Sequence, residues 1–535
     1  MPPRGAFMAI GLAAAAGSGL VWVGENRGAG RVAMRRAGPA PPAAVRSAAA
    51  APTARPVLDN TTGRLRQLNV VFRHGARTPL TDETHLFLGH EWGADVCGAA
   101  YPGGARLKVL GIDGRPSPPS PEDEKQRACR LPGGACHKGE LTRLGQQQAR
   151  AALFALELGR WLRRRYCEAL PLLPPAYAPG ALSLHTTKFS RTRETLRGVL
   201  SGLYEFGPGS PEVPVVSSGE TDALLFADSR HCPHLHKLME ASIAKLSAQE
   251  AAERESPQGR ELRAALDAAL GLPAGFWARR WSWAELHDAI TSLSAHGKGL
   301  PAGLTDGMRR EVDLLATRQF AAYCAPSLDD ESGHAILRLS MSPLFDILLH
   351  NMRGVAGGGS NGGDGDRDGG GGGDAGRAQP KAFFYSGHDS TLLPILLALG
   401  VDIEANGWPP YLSNICIELW ELHPPAPDQQ QGQQQAQQQQ KRQQQGQSGS
   451  PAYPTTDGSR FAVRVLFNKQ ELPLPDCPPD RLMGLATFES ELLGSFLLGE
   501  QEHAQACCVS LEHDSPLPQL RMSALKNGAF ATSEE

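Results

Sequence analysis

Along the chain, two kinds of hydrophobic pattern take turns. Short, continuous apolar runs read as strands, because a strand covered by helices on both faces has no polar side to show. Residues 68–72 (LNVVF), 182–185 and 381–385 (KAFFY) are of this kind, and 415–420 and 461–467 add two neighbours that close the sheet. Longer stretches place apolar residues at helical spacing: 141–165, with Ala149, Leu153 and Leu156 on one face, then about 190–204 and 390–399. Strand and helix in alternation predict an α/β fold with a mostly parallel central sheet flanked by helices. From 221 to 324 the helical pattern runs on without a clear strand, which predicts a helical cap domain inserted into the sheet domain.

Composition limits how much of the 535 residues this fold uses. The chain has 60 Gly and 42 Pro, more than a compact domain of this length needs. Residues 354–380 are rich in Gly and Asp, and 424–451 are dominated by Gln. Neither segment can bury enough apolar surface to offset its ordering entropy, so both read as disordered insertions. The α/β domain is therefore expected in pieces, over 64–220, 325–353, 381–423 and 452–510, with 511–535 as a tail.

The first 58 residues differ again, with seven Arg, no Lys and Glu25 as the single acid. This Arg-rich, acid-poor composition is that of an organellar transit peptide. Within it, 6–24 is an apolar stretch of 19 residues, long enough for a membrane anchor. The expected destination is mitochondrial, with a secretory route, a plastid or membrane anchoring as alternatives.

A net charge of −3 gives no basic excess, and after residue 60 the single run of basic residues is Arg163 to Arg165. Nucleic-acid binding is excluded on that ground. Ten cysteines are spread widely without a CxxC pair. Cys129, Cys136 and His137 lie close in sequence, but in a Pro/Gly-rich loop with no second ligand pair at zinc spacing, so a loop disulfide or free thiols fit better than a metal.

Chemistry enters directly after the first strand, in Arg73-His74-Gly75-Ala76-Arg77-Thr78-Pro79. Ligands of open α/β sheets bind beyond the carboxyl ends of the strands. Two guanidiniums beside an imidazole suit a phosphate, each offering planar donors to its oxygens. Three His-Asp dipeptides follow: His287-Asp288, His388-Asp389 and His513-Asp514. Of these, His388-Asp389 follows a buried strand and opens a helix, whose N-terminus favours an anion.

These motifs resemble the signature of the histidine acid phosphatases, a branch of the histidine phosphatase superfamily. The resemblance implies His74 as the nucleophile that takes up the phosphoryl group and Asp389 as the proton donor to the leaving oxygen. It implies Arg73, Arg77, Arg191 and His388 as phosphate ligands, with Arg191 read from His185-Thr186-Thr187-Lys188-Phe189-Ser190-Arg191-Thr192, where His185 departs from the family's usual Arg. Arg193 is a second candidate on the same helix, and Arg197 reads as a solvated charge. Residues 139–145 (GELTRLG) resemble the family's helix start, with Thr142 as a cap. No metal or other cofactor is implied, since cationic and donor groups take its place.

Within the family, residues 70–80 (VVFRHGARTPL) resemble the mitochondrial lysophosphatidic acid phosphatases. Also similar are Trp408-Pro409-Pro410-Tyr411 ahead of Glu418-Leu419, and 469–477; these read as sheet and loop architecture. The implied partner is a small phosphate monoester, a lysophospholipid, which also leaves membrane association open. Phe276, Trp277, Trp281 and Trp283 are candidates to line an acyl groove, although aromatics in such a helical block more often belong to its core. The competing readings are a broad-specificity acid phosphatase or phytase, and a phospholipid-binding pseudophosphatase without activity. The oligomeric state is not encoded in any motif.

Overall fold

In a computed structural model of the chain, the buried apolar runs lie side by side in one nine-stranded sheet. The structure describes residues 56–81, 86, 88–97, 104–144, 155–217, 224–227, 229–279, 281–357, 380–424 and 453–508, all within one compact unit. Residues 1–55 of the targeting segment, most of both insertions, the tail with His513-Asp514, and residues 145–154 of the expected 141–165 helix lie outside them. Among the described residues no helix is long and apolar enough to cross a membrane.

The first strand, β1 (Gly63–Arg73), is buried without interruption from Leu68 onward. On one side it pairs in parallel with β5 (Ala382–Gly387), equally buried throughout, and β5 pairs in parallel with β3 (Leu182–Thr186). Two strands that the hydrophobic pattern did not reveal complete this half: β4 (Val213–Ser217) beside β3, and β2 (Leu107–Leu110) at the edge, both parallel. They are short, and β2 is only half buried, so neither forms a long apolar run. On the other side β1 pairs antiparallel with β6 (Asn414–Leu422), which pairs antiparallel with β7 (Phe461–Phe467). The two-residue strands β8 (Gln470–Glu471) and β9 (Met483–Gly484) flank β7. The expected α/β sheet is thus five parallel strands extended by an antiparallel edge.

Helices cover both faces. After α1 (Pro121–Ala128) come α2 (Ala155–Arg163), which continues as a π turn to Ala169, and α3 (Ser190–Leu203). The cap consists of α4 (Pro233–Glu255), α5 (Pro257–Leu270), α6 (Ser282–Ala295) and α7 (Asp306–Cys324). Leu266, Leu270, Phe276, Trp283, Leu286 and Val312 give it a core of its own. The long α8 (Glu331–Gly357) follows and runs four residues into the segment expected as an insertion from 354, because its helical pattern carries on before the Gly run takes over. α9 (Asp389–Ala398), α10 (Ile403–Asn406) and α11 (Glu500–Cys508) complete the set.

Two disulfides tie distant segments: Cys97 to Cys136, and Cys232 at the start of α4 to Cys507 in α11. Cys129, the other member of the loop pair noted in the sequence, is a free, exposed thiol. The one group of potential metal ligands among the described residues is Cys97, Cys136 and Glu140, and its two sulfurs are joined to each other.

One buried carboxylate anchors the antiparallel side. Glu418 in β6 accepts from Arg165 Nε (3.0 Å), the Tyr166 hydroxyl (2.7 Å), Trp420 Nε1 (2.9 Å) and Arg464 Nε (2.7 Å). Burial alone pushes its carboxyl up, but Arg464 and Arg165 outweigh this and hold it below the ordinary value.

α2 and α3 cross at two glycines. A Cβ on Gly159 lies 2.0 Å from the Val199 carbonyl oxygen, and one on Gly202 lies 2.1 Å from that of Leu156. Both obstacles are backbone, so neither can rotate away. Helix propensity favours Ala over Gly by about 1 kcal/mol, whereas forced overpacking costs about 1–3 kcal/mol or more. The clash wins: Gly202→Ala is expected to lower the urea midpoint by the equivalent of about 2 kcal/mol, and to lower anion affinity because α3 carries Arg191. A midpoint that rises shows that the helices can part at no cost.

Candidate active site

Three adjacent parallel strands deliver the site. β3, β5 and β1 end level with one another, with Thr186 opposite Ser386 and Arg73 opposite Gly387. The next residues of β1 and β5 are His74 and His388, so the two imidazoles emerge side by side, 5.4 Å apart and edge to face. The backbone itself sets this, since His74 N donates to Gly387 O at 3.0 Å. Beyond β3 the chain enters α3, whose second residue is Arg191. The amide and hydroxyl of Ser190, at the start of α3, donate to Asp123 Oδ1, both at 3.0 Å, so a carboxylate from α1 satisfies this helix N-terminus. Thr195 links the pieces: it accepts from Gly75 N (3.0 Å) and donates to Arg191 O (2.7 Å).

His74 is buried, and its Nδ1 stands 2.8 Å from Gly75 O. A carbonyl can only accept, so the proton is on Nδ1 and the Nε2 lone pair is free. Burial, then Arg191, Arg73 and Arg77, hold its pKa well below 6.5, which keeps the ring neutral. The same forces, burial and Arg191 first, lower His388, whose Nε2 lies 3.0 Å from the Thr187 hydroxyl.

The arginines are fixed by their Nη atoms. Arg73 donates through Nη1 to Pro409 O (2.6 Å) and pairs through Nη2 with Asp389 Oδ2 (2.8 Å), its guanidinium 4.5 Å from the Tyr411 ring centroid. Arg77 donates through Nη1 to Thr78 O (3.0 Å) and pairs through Nη2 with Asp288 Oδ1 (2.7 Å). Arg191 donates to Gln126 Oε1 (3.0 Å) and lies 4.1 Å over the Phe189 ring. Burial and the charge of Arg77 push Arg191 down to about 9, so it stays cationic at neutral pH. The Nε–H groups of all three arginines are buried without a partner among the described residues. The three guanidinium-bearing residues line one cavity, and three cations gathered there suit an oxyanion.

Asp389 opens α9. Burial raises its carboxyl, but Arg73, Arg77, His388 and the Trp408 indole N–H (2.9 Å from Oδ2) outweigh this and bring it down to about 2. It is a carboxylate as the structure stands.

All six residues expected from the sequence, His74, Asp389, Arg73, Arg77, Arg191 and His388, line one cavity of about 680 Å³. Arg193 does not; it donates to Ser117 O and Pro118 O. Arg197 is paired with Glu194. His185 is buried beneath the site, stacked on Tyr385 at 4.9 Å, and burial pushes it down to about 4. The Thr142 hydroxyl donates to Ala76 O (3.1 Å), and most of the first half of the helix it was expected to cap falls outside the described residues.

Two expectations need correcting. The Trp408-Pro409-Pro410-Tyr411 segment is not mere architecture: Trp408 holds Asp389, Pro409 O holds Arg73, and Tyr411 faces both Arg73 and His74. The segment leads into β6, next to the end of β1, and that adjacency is non-local. His287-Asp288, set aside for want of a preceding strand, also lines the cavity, because the cap folds back over the strand ends. Of the four aromatics proposed for a groove, Trp281 lines the cavity, whereas Phe276 and Trp283 are in the cap core and Trp277 packs on it.

A family model described as the histidine phosphatase superfamily (branch 2) matches residues 64–258 and 330–468, which contain all six of these residues. The chain belongs to that superfamily. Histidine phosphatases similar to it include human lysophosphatidic acid phosphatase type 6, 26% identical over 68% of this chain and 76% of the relative. Mouse testicular acid phosphatase is 29% identical over 66% of this chain and 68% of the relative. Among solved structures, the phytase from Citrobacter braakii is 15% identical over 84% of this chain and 100% of that one, with a TM-score of 0.48. The chain is thus a phosphoric monoester hydrolase of the acid phosphatase type. The stretch between the matched segments, 259–329, supplies Arg279, Trp281, His287, Asp288, Phe320 and Tyr323 to the cavity wall.

If the three arginines receive an oxyanion, inorganic phosphate raises the melting temperature. At 100 times its dissociation constant the gain is about 2.7 kcal/mol. Arg191→Ala is expected to abolish most of that shift in a thermal melt; an undiminished shift places the anion elsewhere.

Proposed function

We propose that the protein hydrolyses lysophosphatidic acid, or a closely similar single-chain phosphate monoester, through a phosphohistidine at His74. One observation carries the substrate reading: the cavity is polar and cationic at the strand ends and aromatic at the cap. Trp408 is sandwiched between Phe320 (4.4 Å) and His287 (4.5 Å), with Trp281 and Tyr323 further along. A phosphate head fits the first end and an apolar moiety the second. A polyphosphorylated ring calls for more cations. The cavity wall adds Lys138 and Arg279, and Arg279 is paired with Glu285 at 3.1 Å. The name of the human relative points the same way.

In the mechanism this supports, Arg73, Arg77, Arg191 and His388 hold the phosphoryl oxygens and balance their charge during in-line transfer. His74 Nε2 forms the N–P bond as the P–O bond breaks, and the electron pair leaves on the alcohol oxygen. That oxygen takes a proton from Asp389. Asp389 begins as a carboxylate, so it must gain that proton as the substrate's negative charge enters the site and offsets the arginines. Water then attacks phosphorus, gives its proton to Asp389, and the N–P bond breaks to release phosphate.

Two disulfides favour an oxidising compartment. The Arg-rich first 58 residues support mitochondrial targeting, and the disulfides favour a route that avoids a reducing interior.

A phosphate-release panel tests the substrate. With chelator present, kcat/KM for lysophosphatidic acid is expected to exceed that for phytate at least tenfold, and His74→Ala to lose about a thousandfold or more on every substrate. Phytate as the better substrate overturns the lipid reading; full turnover by His74→Ala overturns the mechanism.

Trp408→Phe keeps the aromatic stack and removes the indole N–H. That donor favours the charged form of Asp389, so its loss raises the Asp389 pKa. The alkaline limb of the kcat–pH profile, where Asp389 loses its proton, is expected to move to higher pH. A limb that stays or moves down removes Asp389 as the proton donor.

A further inference from the structure

Arg73 and Arg77 are wired alike. Each gives Nη1 to a main-chain carbonyl, Nη2 to a carboxylate, and has a buried Nε–H without a partner among the described residues. For Arg73 the carboxylate is Asp389, of His388-Asp389. For Arg77 it is Asp288, of His287-Asp288, on the cap helix α6.

We propose that Asp288 is the positioning residue of Arg77, so that the cap completes the phosphate grip. This rests on the reading of Arg77 as a phosphate ligand. Both oxygens of Asp288 are committed to the same loop: Oδ1 to Arg77 Nη2 at 2.7 Å, and Oδ2 to Leu80 N at 2.6 Å. A guanidinium on a flexible stem has several rotamers of similar energy, and a carboxylate that takes one Nη while a carbonyl takes the other leaves one orientation. The fixed orientation is the one in which the guanidinium lines the cavity. Asp288 is itself held in register. His287, one residue earlier, is tied through Nδ1 to Asp313 Oδ1 on α7 (3.1 Å) and lies flat on Trp408 at 4.5 Å. Trp408 in turn holds Asp389. One turn of α6 thus reaches both arginine–carboxylate pairs, directly at Arg77 and through Trp408 at Arg73.

The arrangement is not required for the cap to stay closed. The cap has its own apolar core, and the Cys232–Cys507 disulfide ties its first helix to α11. A carboxylate also weakens the cradle's attraction for an anion by one charge, a cost that orientation must outweigh.

A double-mutant cycle in the full chain separates positioning from mere structure. Asp288→Ala, Arg77→Ala and the double variant are assayed with p-nitrophenyl phosphate, and competitive inhibition by inorganic phosphate is measured alongside. In the native background Asp288→Ala is expected to lower kcat/KM about tenfold or more and to weaken phosphate inhibition. In the Arg77→Ala background the same change is expected to alter kcat/KM less than about threefold. Asp288→Asn, which offers one acceptor oxygen in place of two, is expected to fall between, and it carries the same cycle if the alanine variant does not fold. Native kcat/KM in the Asp288 variants, or equal losses in both backgrounds, overturns the proposal. If Arg77→Ala alone changes nothing, the failure lies instead with the cradle reading.

Discussion

The parallel pairing of β1 with β5 is the constraint on which the site depends. Six paired positions lead from Leu68 opposite Ala382 to Arg73 opposite Gly387. A shift by two residues keeps every side chain on its face and yet moves one imidazole about 7 Å from the other. A shift by one turns the apolar set of the strand to the wrong face. The register is held by burial on both faces, and so the reacting geometry is inherited from the apolar runs beneath it. Gly387 belongs to the same constraint: a Cβ there lies 2.6 Å from the Thr391 hydroxyl, which accepts from His388 N (3.1 Å) and donates to Leu225 O (2.5 Å).

What the register brings together is hard to bury. Three guanidiniums and two carboxylates share one small region, and an ion moved from water into a protein interior costs several kcal/mol unless it is paired. The site meets that cost unequally. Arg73 and Arg77 each have a carboxylate and an aromatic face, whereas Arg191 has an amide oxygen and Phe189, and burial with the charge of Arg77 pushes it down to about 9. Burial, together with the same excess of positive charge, holds both imidazoles well below 6.5, so that His74 is in the neutral state a nitrogen nucleophile needs. Electrostatics that destabilise the empty cradle therefore prepare it for an anion.

The chemistry was legible in the sequence because it is local to strand ends. An apolar run followed at once by Arg-His-Gly, or by His-Asp, states both the position and the groups, and Arg191 follows β3 in the same way. What escaped is what comes from far away along the chain. Asp288 has no strand before it and reaches Arg77 because the cap closes over the sheet. Trp408 touches Asp389 across α9 and α10. The partner of Cys136 turned out to be Cys97, 39 residues away, and the neighbouring Cys129 stayed free. β2 and β4 were missed for another reason: both are short, β2 at the edge of the sheet is only half buried, and the apolar run of β4 is interrupted by the exposed Pro214.

The cap gives the division between reaction and substrate its particular form. The matched family segments hold the six residues at the strand ends, and the unmatched stretch 259–329 supplies Trp281, Phe320 and Tyr323 to the aromatic wall. Were the cap only a wall, a change of substrate would leave the rate of phosphoryl transfer alone. Here the same turn of α6 that offers His287 to the Trp408 stack also offers Asp288 to Arg77. Reshaping the apolar end by moving this helix therefore displaces a carboxylate from a cavity-lining arginine. Residues such as Trp281 and Tyr323, which line the cavity and belong to neither arginine–carboxylate pair, are freer to vary, so specificity can drift there at little cost in rate, while the turn of α6 that carries His287 and Asp288 is bound to the arginine pairs.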